Sequence, residues 1–276
     1  MLPAFLFAAL LTLASCGKEE VADTPSGTIR HFDLAASVTG GFTRSDGAVT
    51  VTADRCILEI YNADGTPYDH KRMVVTFGAD GTCSFQPKVL SGRSYRFVLW
   101  ADKSGATPDD DLHYITSDGL RHVSVNPQTF ALCDAELDAY CAVIEVSDDT
   151  PPMLSASLRR AVCLLDVSSG HVPGQSGESR VDVTFSRVGT TIDALTGTVG
   201  GFGTLTGSAT VPVGSADEAV AWYAYLPAPA EADACSIDFE MTATWSDGSV
   251  PTFHDTFTDI PLRRNYRVNL SKSAQP

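Results

Sequence analysis

The sequence predicts an all-β protein built as two β-sandwich domains in tandem. Three observations carry this. Apolar and polar residues alternate with period two along several segments, and Asp-Gly turn signals separate those segments. Near the middle, the strand pattern lapses into polar residues and paired prolines.

The alternation is clearest in Ile237 to Trp245, where Ile237, Phe239, Met241, Ala243 and Trp245 interleave with Asp238, Glu240, Thr242 and Thr244. Successive strand side chains point to opposite faces, so this pattern fits a half-buried antiparallel strand. Val181, Val183 and Phe185 repeat it, as do Tyr266, Val268 and Leu270, and Phe32, Leu34, Ala36 and Val38 form a similar first strand. Continuous apolar runs at Ile57 to Tyr61, Phe97 to Trp100 and Val220 to Leu226 predict central strands covered on both faces.

The turn signals are Asn62-Ala63-Asp64-Gly65, Ala79-Asp80-Gly81, Ser117-Asp118-Gly119 and Ser246-Asp247-Gly248, each supplying a residue that tolerates positive φ. Pro127 to Ala142 is the one expected helix, on the spacing of Leu132, Leu137 and Tyr140. Proline cannot continue a sheet ladder, so Ser147-Asp148-Asp149-Thr150-Pro151-Pro152 reads as a linker. The expected division is a signal peptide over 1–15, a surface tether over 16–27, sandwiches over 28–150 and 151–271, and a short tail over 272–276.

The first residues run apolar from Met1 to Ala14, too short for the ~20 residues that cross a bilayer as a helix. They read as an export signal, although no Lys or Arg precedes the run. It closes on Leu13-Ala14-Ser15-Cys16-Gly17, which resembles the bacterial lipoprotein box, where cleavage before the cysteine leaves a thiol that receives lipid such as palmitate. Cys16 is thus the expected lipidation site and mature first residue. The following Lys18-Glu19-Glu20 is similar to the short charged signal that sends Bacteroidetes lipoproteins to the cell surface.

Formal charge is −15, with 34 acidic against 19 basic residues. Arg159-Arg160 and Arg263-Arg264 are isolated pairs, so a phosphate backbone would be repelled and no nucleic-acid partner is expected. Beyond Cys16 stand Cys56, Cys83, Cys133, Cys141, Cys163 and Cys235. An even number in an exported chain permits three disulfides in any of fifteen pairings, and small buried thiols are the alternative. None forms a CxxC pair, and no histidine lies at ligand spacing from them.

The residues offer little for catalysis. Gly197-Thr198-Val199-Gly200-Gly201-Phe202-Gly203 has no Lys-Ser or Lys-Thr to close a nucleotide loop and reads as a bulged strand or hairpin. Ser176 lacks the spacing of a nucleophile elbow. Asp109-Asp110-Asp111 lacks the alternating ligands of a calcium loop and reads as a solvated turn. His31, His70, His113, His122, His171 and His254 are scattered singly. No catalytic residue, cofactor or metal ligand is expected, and the chain reads as a non-enzyme. Carboxylates converging in space remain the one route to a hydrolase.

From Tyr95-Arg96-Phe97-Val98-Leu99-Trp100-Ala101-Asp102 onward, the chain resembles the fimbrillin-like subunits of the Bacteroidales, which build type V pili. The likeness continues in order through His113-Tyr114, Leu120-Arg121-His122-Val123 and Asp138-Ala139-Tyr140-Cys141. It then runs through the Arg-led Leu158-Arg159-Arg160-Ala161-Val162-Cys163-Leu164-Leu165-Asp166-Val167 and closes on Ile260 to Leu270. The resemblance implies two transthyretin-like, immunoglobulin-like sandwiches, a place in a fimbrium on the outer membrane, and assembly with other fimbrial subunits by strand exchange. In that family a protease cutting after arginine removes the first strand; Arg44, in Gly40-Gly41-Phe42-Thr43-Arg44-Ser45-Asp46-Gly47, is the best-placed candidate.

Only Ser271 to Pro276 follow the closing strand, too few and too polar to donate a long strand, which counts against a shaft subunit and leaves an anchor or accessory subunit, or a stand-alone surface lipoprotein of the same fold. Adhesion to host or bacterial surface ligands follows from the same likeness. The alternative is a carbohydrate-binding surface lipoprotein that stacks Trp100, Trp222 or Trp245 on sugar rings, although Trp245 lies on the apolar side of its strand.

Overall fold

The computed structural model describes residues 27–39, 51–171, 177–213, 219–230, 235–245 and 252–272. Among them are twenty strands. Before the prolines lie β1 (Ile29–His31), β2 (Asp33–Val38), β3 (Arg55–Asn62), β4 (Pro67–Thr76), β5 (Thr82–Phe85), β6 (Lys88–Leu90), β7 (Tyr95–Asp102), β8 (Tyr114–Ile115), β9 (Val123–Val125) and β10 (Tyr140–Val146). After them come β11 (Met153–Arg160), β12 (Val162–His171), β13 (Gly177–Val188), β14 (Thr191–Asp193), β15 (Thr198–Gly200), β16 (Gly203–Val213), β17 (Ala219–Pro227), β18 (Ser236–Trp245), β19 (Phe253–Pro261) and β20 (Arg267–Lys272).

Two seven-stranded sheets dominate, ordered β4-β3-β7-β10-β11-β2-β5 and β19-β18-β13-β16-β17-β12-β20. Each contains one parallel pair, β2 with β11 and β20 with β12, and is otherwise antiparallel. A four-stranded sheet, β15-β14-β9-β8, takes two strands from before the first large sheet ends and two from after the second begins. The all-β sandwich class expected from the sequence is the one observed.

The apolar runs are explained by two cores. Cys56, Leu58 and Ile60 of β3 and Phe97 and Leu99 of β7 join β2 in a core inside the first sheet. The intervening Ile57 and Tyr61 of β3 and Val98 and Trp100 of β7 enter a second core with Val162, Phe185, Trp222 and Phe239. Side chains of one strand alternate between faces, so a strand buried on both sides must be apolar at nearly every position. The Ile237 to Trp245 alternation buries its apolar members at 0–3% exposure, as β18 requires.

Two expectations change. Residues 147–152 are a tight turn within the first sheet, not a linker: Ser147 N–H donates to Thr150 Oγ1 at 2.8 Å, and Asp33 N–H donates to Pro152 O at 2.8 Å. Proline lacks a donor but keeps its acceptor, so Pro152 can still receive the adjacent strand. The chain passes from the first large sheet to the second at Ala161, between β11 and β12.

The helix expected over Pro127 to Ala142 reduces to one 3₁₀ turn, Ala135–Leu137, followed directly by β10. Cys133 at φ 57° precludes a helix through it, and Asp138 at φ −71°, ψ 133° has already turned extended. All six described cysteines are free thiols, five of them buried as small core residues, and the Cys56 and Cys83 thiols lie in hydrogen-bond contact.

Of the turn signals, Gly65, Gly81 and Gly119 take φ of 83°, 71° and 88°, the region where a side chain is strained. Ser246-Asp247-Gly248 lies outside the described residues. The Gly-rich segment is a β14–β15 hairpin, with Gly197 at φ 74°.

Candidate functional site

The first strand is the element that assembly by strand exchange would require to be separable. β2 lies between two neighbours, in parallel register with β11 from Asp33↔Met153 to Val38↔Leu158 and antiparallel to β5 from Leu34↔Phe85 to Ser37↔Thr82. It is therefore an internal strand, although β5 beyond it has only four residues. Phe32, Leu34 and Ala36 are 1–2% exposed in the first core, while Asp33 and Ala35 face outward. Phe32 meets Phe97 edge-on with ring centroids 5.6 Å apart.

Just before β2, β1 pairs with β6, and Arg30 fastens the segment to the turn at 147–150. Its guanidinium donates to Ser147 O at 2.5 Å and Thr150 O at 2.6 Å, and lies over the Phe32 ring at 4.8 Å. Beyond β2, Thr39 N–H donates to Leu158 O at 3.0 Å. Residues 28–39 thus form one continuous extended insert with three buried apolar anchors. A groove of about 720 Å³ runs alongside it between β4 and β5, lined by Leu34, Met73, Val75, Phe85, Met153 and Leu154. The two ends of the first sheet approach there without hydrogen-bonding to each other.

Cys16 and Arg44 lie outside the described residues. No helix among the described residues is long and apolar enough to cross a membrane.

The sequence motifs turn out to be structural locks. Asp138 and Arg160, from the Asp-Ala-aromatic element and the Arg-led strand, form a buried ion pair, with Arg160 Nε donating to Oδ2 at 2.8 Å. Tyr140 Oη donates to the same carboxylate at 2.5 Å and accepts from Arg160 Nη2 at 3.1 Å. Burial pushes the Asp138 carboxyl up to about 6 against the pull of Arg160. Asp102, which ends the β7 motif, is held by Arg55 Nε at 2.6 Å, and the same guanidinium donates to Asp111 Oδ1 at 2.9 Å. Asp111 is therefore a partner in a buried network rather than part of the solvated turn expected of Asp109-Asp110-Asp111. Tyr114 Oη donates to Leu137 O at 2.6 Å.

A pocket of about 430 Å³ between β3, β4 and the Ser117–His122 loop holds Glu59, Arg72, Asp118 and Arg121. Glu59 Oε2 already accepts Tyr61 Oη at 2.5 Å and Leu120 N–H at 2.9 Å, and Arg72 stands 3.6 Å from its other oxygen. The aromatics offered for sugar stacking are not available: Trp100, Trp222 and Trp245 are 0–3% exposed and pack in the core. Indole rings fill the sandwich interior because no other side chain buries as much apolar area there.

The family described as "Family of unknown function (DUF6562)" matches residues 30–273, nearly the whole of the described chain. The chain belongs to the DUF6562 family. No curated protein matches it. Among solved structures, this DUF6562 chain is similar to a candidate adhesin from Bacteroides ovatus at 12% identity and TM-score 0.52, covering 96% of this chain and 95% of that one. It is also similar to a candidate cell adhesion protein from Bacteroides ovatus at 9% identity and TM-score 0.50, covering 89% and 92%. The tip fimbrial protein Mfa3 from Porphyromonas gingivalis, with a C-terminal truncation, matches at 10% identity and TM-score 0.47, covering 90% and 96%. The first two likenesses establish a shared fold over nearly full length; the third is too loose to add to it.

Proposed function

We propose that this protein is a structural or accessory subunit of a cell-surface fimbria, an anchor subunit among the options, that assembles by β-strand exchange and contributes to adhesion. The observation that carries this reading is the placement of β2. An N-terminal segment whose three buried anchors are Phe32 just before β2 and Leu34 and Ala36 within it fills a slot between β11 and β5, and a candidate cleavage arginine, Arg44, follows it in sequence. Cleavage after Arg44 would cut the covalent link between the insert and the rest of the chain. Once the insert left, β11 and β5 would present unpaired backbone groups over vacant apolar pockets. An extended segment from another subunit satisfies both needs, the backbone by hydrogen bonds and the pockets by alternate side chains.

The fold shared with candidate adhesion proteins of Bacteroides ovatus supports the same reading. Lipid on Cys16 would tether the subunit to the outer membrane at the cell surface, with other fimbrial subunits and surface ligands as partners. The sugar-binding alternative loses its proposed aromatic platform with the burial of Trp100, Trp222 and Trp245.

Limited digestion with a trypsin-like protease tests the proposal. Wild-type protein should give detergent-resistant, heat-labile ladders on unheated gels, and Arg44→Ala should stay monomeric. Monomer alone after complete cleavage at Arg44 would overturn assembly by exchange.

A further inference from the structure

We infer that His113, Asp134 and Glu136 form a binding site for a divalent cation of the zinc class. The three residues are 21 and 2 positions apart in sequence, and folding gathers one donor atom from each within 4.8 Å of the others.

His113 supplies the independent observation. The residue is 5% exposed, and its Nε2 is buried without a hydrogen-bond partner. A buried imidazole nitrogen ordinarily finds a partner. Its other nitrogen, Nδ1, stands 3.2 Å from the Thr129 carbonyl, which can only accept. Nδ1 therefore carries the proton, and the Nε2 lone pair points outward. What it faces are two more acceptors, Asp134 Oδ2 at 3.6 Å and Glu136 Oε2 at 4.0 Å. Both distances exceed the hydrogen-bond range of about 2.7–3.2 Å, so neither carboxylate satisfies Nε2 by a direct contact.

Those separations suit ligands around an ion. Zinc holds nitrogen and carboxylate oxygen at about 2.0–2.2 Å, which at tetrahedral angles puts neighbouring donors roughly 3.3–3.6 Å apart. The Asp134 and His113 pair is already at that spacing, and Glu136, whose side chain is 48% exposed, stands 4.0 Å from His113 Nε2 with room to move in.

The surroundings resemble the support that metal ligands receive. Asp134 is oriented because its Oδ1 accepts the Glu136 N–H at 2.9 Å, leaving Oδ2 to the site. The carbonyl of Thr129 fixes the imidazole tautomer, the usual role of an outer partner. One imidazole with two carboxylates favours zinc-class ions over magnesium or calcium, which prefer all-oxygen sets. The solvent side of Glu136 leaves a fourth position for water. A bound ion would clamp the segment entering β8 to the 3₁₀ turn ahead of β10, beside the Tyr114–Leu137 hydrogen bond.

The test uses untagged mature protein, stripped with chelator and titrated with zinc chloride by calorimetry, alongside thermal melts. One zinc per chain and a raised melting temperature are expected. Glu136→Gln and Asp134→Asn should each weaken binding by more than about 100-fold, beyond the effect of losing an outer partner. Asn at 134 keeps the acceptor that caps the turn, and residue 136 is exposed, so both variants should fold as wild type. Absence of stoichiometric zinc overturns the site. So does zinc binding undiminished in both variants, which would assign the ion to thiols or other carboxylates.

Discussion

Arg160 and Asp138 meet as a fully buried ion pair, both side chains at 0% exposure, one residue before the chain leaves the first sheet for the second. The pair also holds Tyr140, so β10, β11 and the 3₁₀ turn are locked together at the crossover. Removing one partner strands an uncompensated charge in the interior. Arg160→Ala should therefore destabilise by about 3–5 kcal/mol in urea unfolding, whereas replacing both residues by apolar ones of similar volume should recover most of that loss.

The same carboxylate makes stability depend on pH. Its folded value, about 6, lies above the ordinary 3.8, so folding favours the protonated form. Its contribution is complete below about pH 4 and disappears as pH rises through about 6. The unfolding free energy of wild type minus that of Asp138→Asn should fall across that window; a flat or rising difference would contradict the burial assigned to this group.

The anchors Phe32 and Leu34, just before β2 and within it, should matter out of proportion to the length of the strand. Phe32→Ala should cost about 3–5 kcal/mol and Leu34→Ala about 2–5 kcal/mol, by lost transfer energy and residual cavity. Outward-facing Ala35→Ser should change little. Hydrogen exchange in β5 should rise in the two anchor variants, because β5 has no hydrogen-bonded neighbour beyond β2.

The indole rings offer a direct spectroscopic check. With all three tryptophans buried, native fluorescence should be blue-shifted and weakly quenched by acrylamide, and soluble glycans should leave it unchanged. Strong quenching in the folded protein would place at least one ring at the surface.

Strand identity was largely legible in the sequence because alternation depends on local geometry alone. Ile237 to Trp245 and Phe32 to Val38 read correctly on that basis. The doubly buried β3 and β7 also announced themselves, since two cores leave no polar face. What spans long sequence separations was not legible. Nothing local marks Pro152 as an acceptor for Asp33, so a turn inside one sheet looked like a linker. Leu132, Leu137 and Tyr140 mimicked helical spacing although the two leucines enter one core and Tyr140 the other, and the positive φ of Cys133 leaves no trace in residue type. His113 looked solitary because its carboxylate neighbours enter through a turn more than twenty residues on. The Asp138 and Arg160 motifs were visible, but only their meeting in space revealed why both are needed.

Exchangeability of the insert 28–39 is the claim on which the functional account rests, and peptide replacement tests it most directly. Protein cleaved at Arg44 would be incubated with a labelled peptide of residues 28–39 and separated by size. The account predicts that the resident segment leaves and one labelled peptide per chain takes its place, with a Phe32→Asp, Leu34→Asp peptide failing to bind. A resident segment that stays in place, with no label incorporated, would contradict it.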